Sequence, residues 1–206
     1  MIPNGGAKME IKLPLPRYDG PISLEATLLR RRSVRDFTDS PLSLAEVSQL
    51  LWAAQGVTVG WGGRTAPSGG ATYPLETYVL GGRVVDLPPA VYRYEPKGHF
   101  LGMVETEDRR KALADAALGQ GFIERAPLDI VFSAVFQRIT RRYGERGKRY
   151  ALMEAGHAAQ NVLLQAVALG MAAVPVGAFY DEQVARALGF KTGEEALYIL
   201  AIGRPR

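Results

Sequence analysis

Val162–Tyr180 is a run of nineteen residues, apolar almost throughout and interrupted by Gln165. A run of that length is enough to span a bilayer as one helix, so it limits the fold before any other feature does. Gly170 and Pro175 decide the case. A glycine in mid-run reads as a helix C-cap, and a proline five residues later removes a backbone donor and breaks a continuing helix. The run therefore predicts a buried helix followed by a buried strand, with no membrane partner. Met1–Pro16 holds Pro3, Pro14 and Pro16 and no apolar h-region, so no signal peptide is predicted. The expected location is cytoplasmic.

The 206 residues show no internal repeat or low-complexity linker. An extended arm over residues 1–20 and a single domain over 21–206 are predicted, and a domain of that size can bury about 70% of its unfolded surface. The chain has no cysteine, which excludes disulfides, thiolate nucleophiles and cysteine-ligated zinc or iron–sulfur sites. His99 and His157 are the two histidines, too few for a histidine-rich metal site, and no metal is expected. His99 is expected at the surface of a hairpin, and His157 packed and hydrogen-bonded in mid-helix.

Helix signals recur along the chain. Ser23 can cap a helix running to about Arg31, and Ser43 with Glu46 has the form of a capping box opening a helix that ends at Gly56. Gly60–Gly70 must be loop. Strands are predicted at Glu76–Leu80, at Val91–Tyr94 and Phe100–Val104 as a hairpin, and at Ile130–Phe136, Ala172–Val176 and Ala196–Ile202. Helices are predicted from a Thr106 cap through Leu118, from about Tyr150 to Leu169, and over Asp181–Leu188. No regular β-α-β rhythm appears, so the class is α+β.

No G-x-G-x-x-G follows a strand, no phosphate-binding G-x-x-x-x-G-K-[ST] occurs, and Ser68 lacks the G-x-S-x-G elbow. Four segments carry chemistry instead. Arg30–Arg35 packs four arginines and Ser33 into six residues, a set suited to forking onto phosphate oxygens and equally to a solvated helix end. Arg64–Glu76 contains Pro67-Ser68-Gly69-Gly70-Ala71, whose glycines let backbone approach a flat ligand. Gly170–Phe179 sets Gly177 just past a buried strand, and Arg204 and Arg206 end the chain.

In this order the segments resemble the nitroreductase family of flavin enzymes, and more closely its SagB-type dehydrogenase branch. The likeness rests on Arg-Arg-Ser-x-Arg at 31–35, Leu-Leu-Trp-Ala-Ala-Gln-Gly at 50–56, and Ala-Pro-Ser-Gly-Gly-Ala at 66–71. Tyr-Pro-Leu-Glu at 73–76, Glu-Ala-Gly-His-Ala-Ala-Gln-Asn at 154–161 and Val-Pro-Val-Gly-Ala-Phe at 174–179 continue it. It covers the chain from about Leu13 to Arg206.

The resemblance implies a nitroreductase-like fold, a mostly antiparallel sheet flanked by helices, in an intertwined homodimer with FMN at the interface. Arg31, Arg32, Ser33 and Arg35 would hold the phosphate and ribityl chain, joined by Arg204 and Arg206. Pro67, Ser68, Gly69, Gly70 and Ala71 would reach the partner's flavin, and Pro175, Val176, Gly177 and Ala178 would meet the ring near N5. FMN carries the hydride chemistry, so no metal or triad is required. A ping-pong cycle is implied, from NAD(P)H to a small nitroaromatic or quinone-like acceptor. In azoline-oxidising relatives a Lys-Tyr pair near the long helix is thought to remove a proton. Here the aligned pair is Arg149-Tyr150, and arginine cannot serve as a base at neutral pH. Tyr150 remains a candidate catalytic proton donor.

The charge balance favours this over nucleic-acid binding. Residues 30–35 carry +4, and residues 138–149, with six cations and Glu145, carry +5. Of the formal net charge of +4, the remaining residues therefore hold −5. The protein is mildly acidic with two local basic clusters, and no nucleic-acid partner is expected.

Overall fold

The computed structural model describes residues 9–206, and the first eight residues of the predicted arm lie outside them. In chain order the elements are β1 (Glu10–Lys12), α1 (Leu24–Arg30), α2 (Leu44–Gln55), a 3-10 turn at Gly69–Ala71, β2 (Leu75–Gly81), β3 (Ala90–Glu95) and β4 (Phe100–Glu105). There follow α3 (Arg110–Ala116), α4 (Phe122–Arg125), β5 (Leu128–Ala134), α5 (Gln137–Tyr143), α6 (Arg146–Ala168), β6 (Ala172–Val176), α7 (Asp181–Leu188) and β7 (Glu195–Gly203). The strands form one antiparallel sheet in the order β1-β4-β3-β2-β5-β7-β6, flanked by helices, an α+β fold.

The sheet separates two cores. On one face Leu75, Val79, Ile130, Phe132 and Leu200 pack with α2 and α6. On the other, Leu80, Val131, Ile199 and Ala201 pack with α3, α4 and α7. β5 lies between β2 and β7 with both faces covered, which is why all seven of its residues are buried. The stripe of α6 that meets the core is built largely of small residues, Ala151, Ala155, Ala158, Ala159 and Ala166, at helical spacing.

α2 has the predicted capping box, with Ser43 Oγ accepting from the Glu46 N–H and Glu46 accepting from the Ser43 N–H. After α6, Gly170 takes φ +70, the left-handed conformation of a residue just past a helix end. Among the described residues no helix is long and apolar enough to cross a membrane.

Three expectations need correction. Thr106 caps nothing: α3 starts at Arg110, because Asp108 accepts from the Arg110 amide and guanidinium instead. β5 ends at Ala134, and Val135 and Phe136 turn the chain into α5. His157 is exposed on the outer face of α6, three residues from buried Glu154, rather than packed.

His99 is also not a plain surface residue. One ring nitrogen meets the Tyr94 hydroxyl at 2.8 Å, and the other meets Ser48 Oγ at 2.7 Å and the Pro14 carbonyl at 3.0 Å. With the Leu13 N–H donating to the His99 carbonyl, the ring ties the arm to α2 and to the β3–β4 hairpin. Burial holds His99 below its ordinary 6.5, partly offset by the Pro14 carbonyl. The neutral ring is thus the form the fold favours. The stability it adds is complete above pH 6.5 and is lost as pH falls below it. Melting temperatures at pH 7.5 and 5.5 should show a larger acid loss in the wild type than in His99→Gln. Equal losses would remove His99 from the arm's attachment.

Candidate functional site

Three of the segments singled out in the sequence converge on the outer side of β6. Ser33 forms a parallel bridge to Ala173, and the Val34 N–H donates to the Ala173 carbonyl at 3.3 Å. Phe37 bridges Pro205, and the Thr38 N–H donates to the Arg204 carbonyl at 2.9 Å. Residues 31–38, the Ala172–Ala173 start of β6 and residues 203–206 therefore share one corner, and Gly177 lies past the other end of the strand.

Pro175 lies along the edge that runs from this corner to Gly177. β6 is an edge strand, where proline is tolerated. Strand alternation turns the odd-numbered residues Ala173 and Pro175 away from β7. With no N–H to offer, Pro175 stops the 33–34 segment from pairing further along the strand. Beyond it Gly177 and Ala178 are exposed, and among the described residues no loop or cap hydrogen bond uses their N–H groups. A Cβ built on Gly177 would meet only Tyr198, at 4.0 Å. Open space thus faces free backbone donors.

The arginines differ in their commitments. Among the described residues Arg31, Arg32 and Arg35 have no carboxylate partner. Arg32 folds back onto the carbonyls of Leu29 and Arg31, and Arg35 lies 5.7 Å from the Phe122 ring centroid. Arg204, by contrast, donates to Glu46 at 2.7 Å, and Arg206 stands 3.8 Å from Asp36. Arg204 also lines a cleft of about 540 Å³ with Arg17, Glu46 and Leu169. A second cleft of about 390 Å³, walled by Tyr18, Trp52, Asn161 and Gln165, includes none of arginines 31–35, so volume alone does not mark the site.

The Pro67–Ala71 loop is built elsewhere, against α5 and α6. Its backbone is unusual: Gly70, Ala71 and Tyr73 all have positive φ, at 59, 54 and 44°. Two of these are not glycine, and such conformations persist only where the surroundings enforce them. Here Ser68 Oγ accepts from the Tyr73 N–H at 2.9 Å, and Thr72 Oγ1 donates to the Gly69 carbonyl at 2.8 Å. Arg142 donates to the Gly70 carbonyl at 3.2 Å, and a Cβ on Gly70 would strike the Tyr143 hydroxyl. Tyr150 stands under Gly69, edge-on to Tyr143 and near the Arg146 guanidinium.

Behind this loop lies a residue that was not singled out as a site residue in the sequence. Glu154 is 2% exposed, and among the described residues neither carboxylate oxygen has a hydrogen-bond partner. Burial pushes it up to about 7 against the opposing pull of the Ser68 hydroxyl and Arg64. Arg64 is itself held low by burial, with its guanidinium 4.2 Å from the Tyr73 ring centroid and bonded to Gln55 at 2.8 Å. The signal was present in the spacing: Glu154 falls within the Ala151–Ala155–Ala158 stripe of α6, where the core face is expected.

The Nitroreductase family model matches residues 28–204. The chain belongs to the nitroreductase family. A nitroreductase-like protein of Methanocaldococcus jannaschii is 47% identical over 199 residues, covering 97% of this chain and 98% of that protein. The crystal structure of a nitroreductase-like protein of Ralstonia eutropha superposes with a TM-score of 0.85 at 35% identity, over 98% of this chain and 92% of that one. The microcin B17-processing protein of Escherichia coli is 28% identical over 130 residues, 61% of this chain and 48% of that protein. Nitroreductase-family membership assigns the chain to an oxidoreductase family whose members typically bind FMN. The residues fit such a group: unpaired guanidinia for a phosphate, open space over Gly177 for a ring, and a strained loop at a second position.

Proposed function

We propose that this protein is an FMN-dependent oxidoreductase acting as a homodimer, taking electrons from NAD(P)H and passing them to a small nitroaromatic or quinone-like acceptor in a ping-pong cycle. The observation that carries the reading is the outer edge of β6: Arg31–Arg35 and the C-terminal arginines lie at its Ala172–Ala173 end, and Gly177 faces open space past its other end. When bound, FMN supplies hydride transfer through its N5 position.

The chain's own residues bind and orient. Arg31, Arg32 and Arg35, free of carboxylates, would grip the phosphate, with Ser33 beside them on the ribityl chain. Arg204 and Arg206 would contribute more weakly, since Glu46 and Asp36 already draw on them. Gly177 and Ala178 would offer backbone N–H groups to the ring. The Pro67–Ala71 loop packs on α5 and α6 rather than at the corner, which suits a site completed by a second protomer. Leu24, Leu28 and Leu29 on α1 and Leu152 and Met153 on α6 are about half exposed or more, an apolar surface fit for that contact.

The test is direct. Purified protein should carry, or take up from solution, one FMN per protomer, seen as flavin absorbance and identified as FMN after denaturation. NADH or NADPH should bleach that absorbance, and a nitroaromatic or quinone should restore it. A protein that stays colourless after incubation with FMN would overturn the assignment.

A second reading, a SagB-type dehydrogenase oxidising a peptide azoline, draws on the similarity to the microcin-processing protein and on Tyr150 beside the loop. Arg149 is exposed and cannot take the role of a base. Oxidation of an azoline peptide without added NAD(P)H would select this reading.

A further inference from the structure

The flavin reading leaves the second basic cluster, residues 138–149, without a task. Two of its six cations are spent locally, Arg138 on Glu76 and Lys148 on Glu145. Arg141, Arg142, Arg146 and Arg149 are exposed, and among the described residues none has a carboxylate partner. Like charges three or four residues apart on a helix repel. Four unanswered guanidinia on α5 and the first turn of α6 therefore suit a ligand that brings several negative charges.

Two glycines fix where the cluster lies. Gly144 takes φ 58° and ψ −154°, a conformation open almost to glycine alone, and a Cβ on Gly147 would come within 3.0 Å of the Ile139 carbonyl. α5 thus folds back closely on α6. Tyr143 and Tyr150, one from each helix, meet edge to face with ring centroids 5.3 Å apart. The Arg142 guanidinium stands 5.5 Å from the first ring centroid, and that of Arg146 stands 5.7 Å from the second. One Arg142 nitrogen donates to the Gly70 carbonyl at 3.2 Å, which leaves its other donors uncommitted. Two half-buried rings flanked by two guanidinia therefore sit against the Pro67–Ala71 loop.

We propose that this patch holds the 2′-phosphate of NADPH, and so selects NADPH over NADH as the reductant. The placement rests on the flavin reading. A nicotinamide over a flavin held at the Pro67–Ala71 loop leaves the rest of the dinucleotide to run outward, and α5 with the start of α6 is the adjoining surface. Each bridging phosphate of a dinucleotide carries a single negative charge, whereas a phosphate monoester carries about −1.5 to −2 at pH 7. A group of that charge accepts from more than one guanidinium at once. The tyrosine rings add a flat flank for the adenine. An acidic peptide would answer the charge and make no use of the rings.

The experiment titrates the FMN-treated protein by calorimetry with adenosine 2′,5′-bisphosphate, which has the distinguishing phosphate and no redox centre. Binding should be saturable and about tenfold or more tighter than that of 5′-AMP. Arg142→Ala and Arg146→Ala should each weaken it about tenfold or more, and should lower the NADPH-over-NADH ratio of kcat/KM by a similar factor. Arg141→Ala removes the same charge from a side chain with no hydrogen bond, ion pair or ring contact among the described residues, and should stay within about twofold of wild type. Equal affinity for the two nucleotides, equal losses in all three variants, or a loss confined to Arg142→Ala, which also frees the Gly70 carbonyl, overturns the site. So does saturable binding of an aspartate-rich peptide with none of the bisphosphate. Bisphosphate binding that depends on Arg142 and Arg146, in a protein that takes up no FMN, supports the site and refutes the flavin reading. A protein that binds FMN and is reduced equally well by NADH and NADPH, with no loss in either variant, does the reverse.

Discussion

Replacing Leu152 and Met153 together by Glu should leave the protein monomeric and reduce FMN affinity by at least about 100-fold, equivalent to about 2.7 kcal/mol. Both side chains are exposed on α6, at 54% and 49%, so two carboxylates there cost the isolated protomer little. Pressed into an apolar contact with a second protomer, they would each lose hydration worth several kcal/mol without a paired charge in return. Light scattering during gel filtration reads the mass, and circular dichroism confirms that the helices survive. The affinity loss would follow from a flavin held between protomers, with the Pro67–Ala71 loop of one and the β6 edge of the other both needed to hold it. A variant that remains dimeric, or a monomer that still binds FMN tightly, would show that the flavin does not sit between protomers.

Arg35→Ala, and separately Arg32→Ala, should weaken FMN by about 1.5–3 kcal/mol, a factor of about 10 to 150, as expected for one charged hydrogen bond to phosphate. Riboflavin, which lacks the phosphate, should bind both variants as it binds the wild type. That comparison tells loss of phosphate contact from loss of fold. Arg204→Ala should behave differently. Its guanidinium is already paired with Glu46, the residue that closes the α2 capping box. The variant should therefore lose less affinity and more thermal stability than Arg35→Ala. Equal affinity losses at the two positions would mean that Glu46 releases Arg204 to the ligand.

Local chemistry made much of this architecture legible. Ser43 and Glu46 announced α2, Gly170 and Pro175 divided the long apolar run, and Arg31–Arg35 stood out by residue type alone. What stayed hidden depends on partners distant in the chain. α5 carries only one buried side chain, Ile139, amid four exposed basic or polar positions, so no apolar period marks it; packing on α6 holds it as a helix. α6 begins four residues earlier than its apolar pattern suggests, because Arg146, Lys148 and Arg149 extend it through solvent. His99 reads as a surface residue in sequence because its partners Ser48 and Pro14 lie 51 and 85 residues away. The pairing of Arg204 with Glu46 spans 158 residues and could not be read from either neighbourhood.

The arm and the 33–34 segment, described above as attachments, have a further consequence for how the molecule behaves in a crowded solution. A sheet that ends in a bare strand offers a row of unmet donors and acceptors to any passing chain, and can seed runaway self-assembly. Here one margin is β1 itself, an edge strand of only three residues paired with β4, and His99 fastens the chain that follows it. At the other margin Ser33 and Val34 occupy β6 at Ala173, and Pro175 denies the next position a donor. The same proline that stands before the exposed Gly177 thus closes the sheet to its own kind.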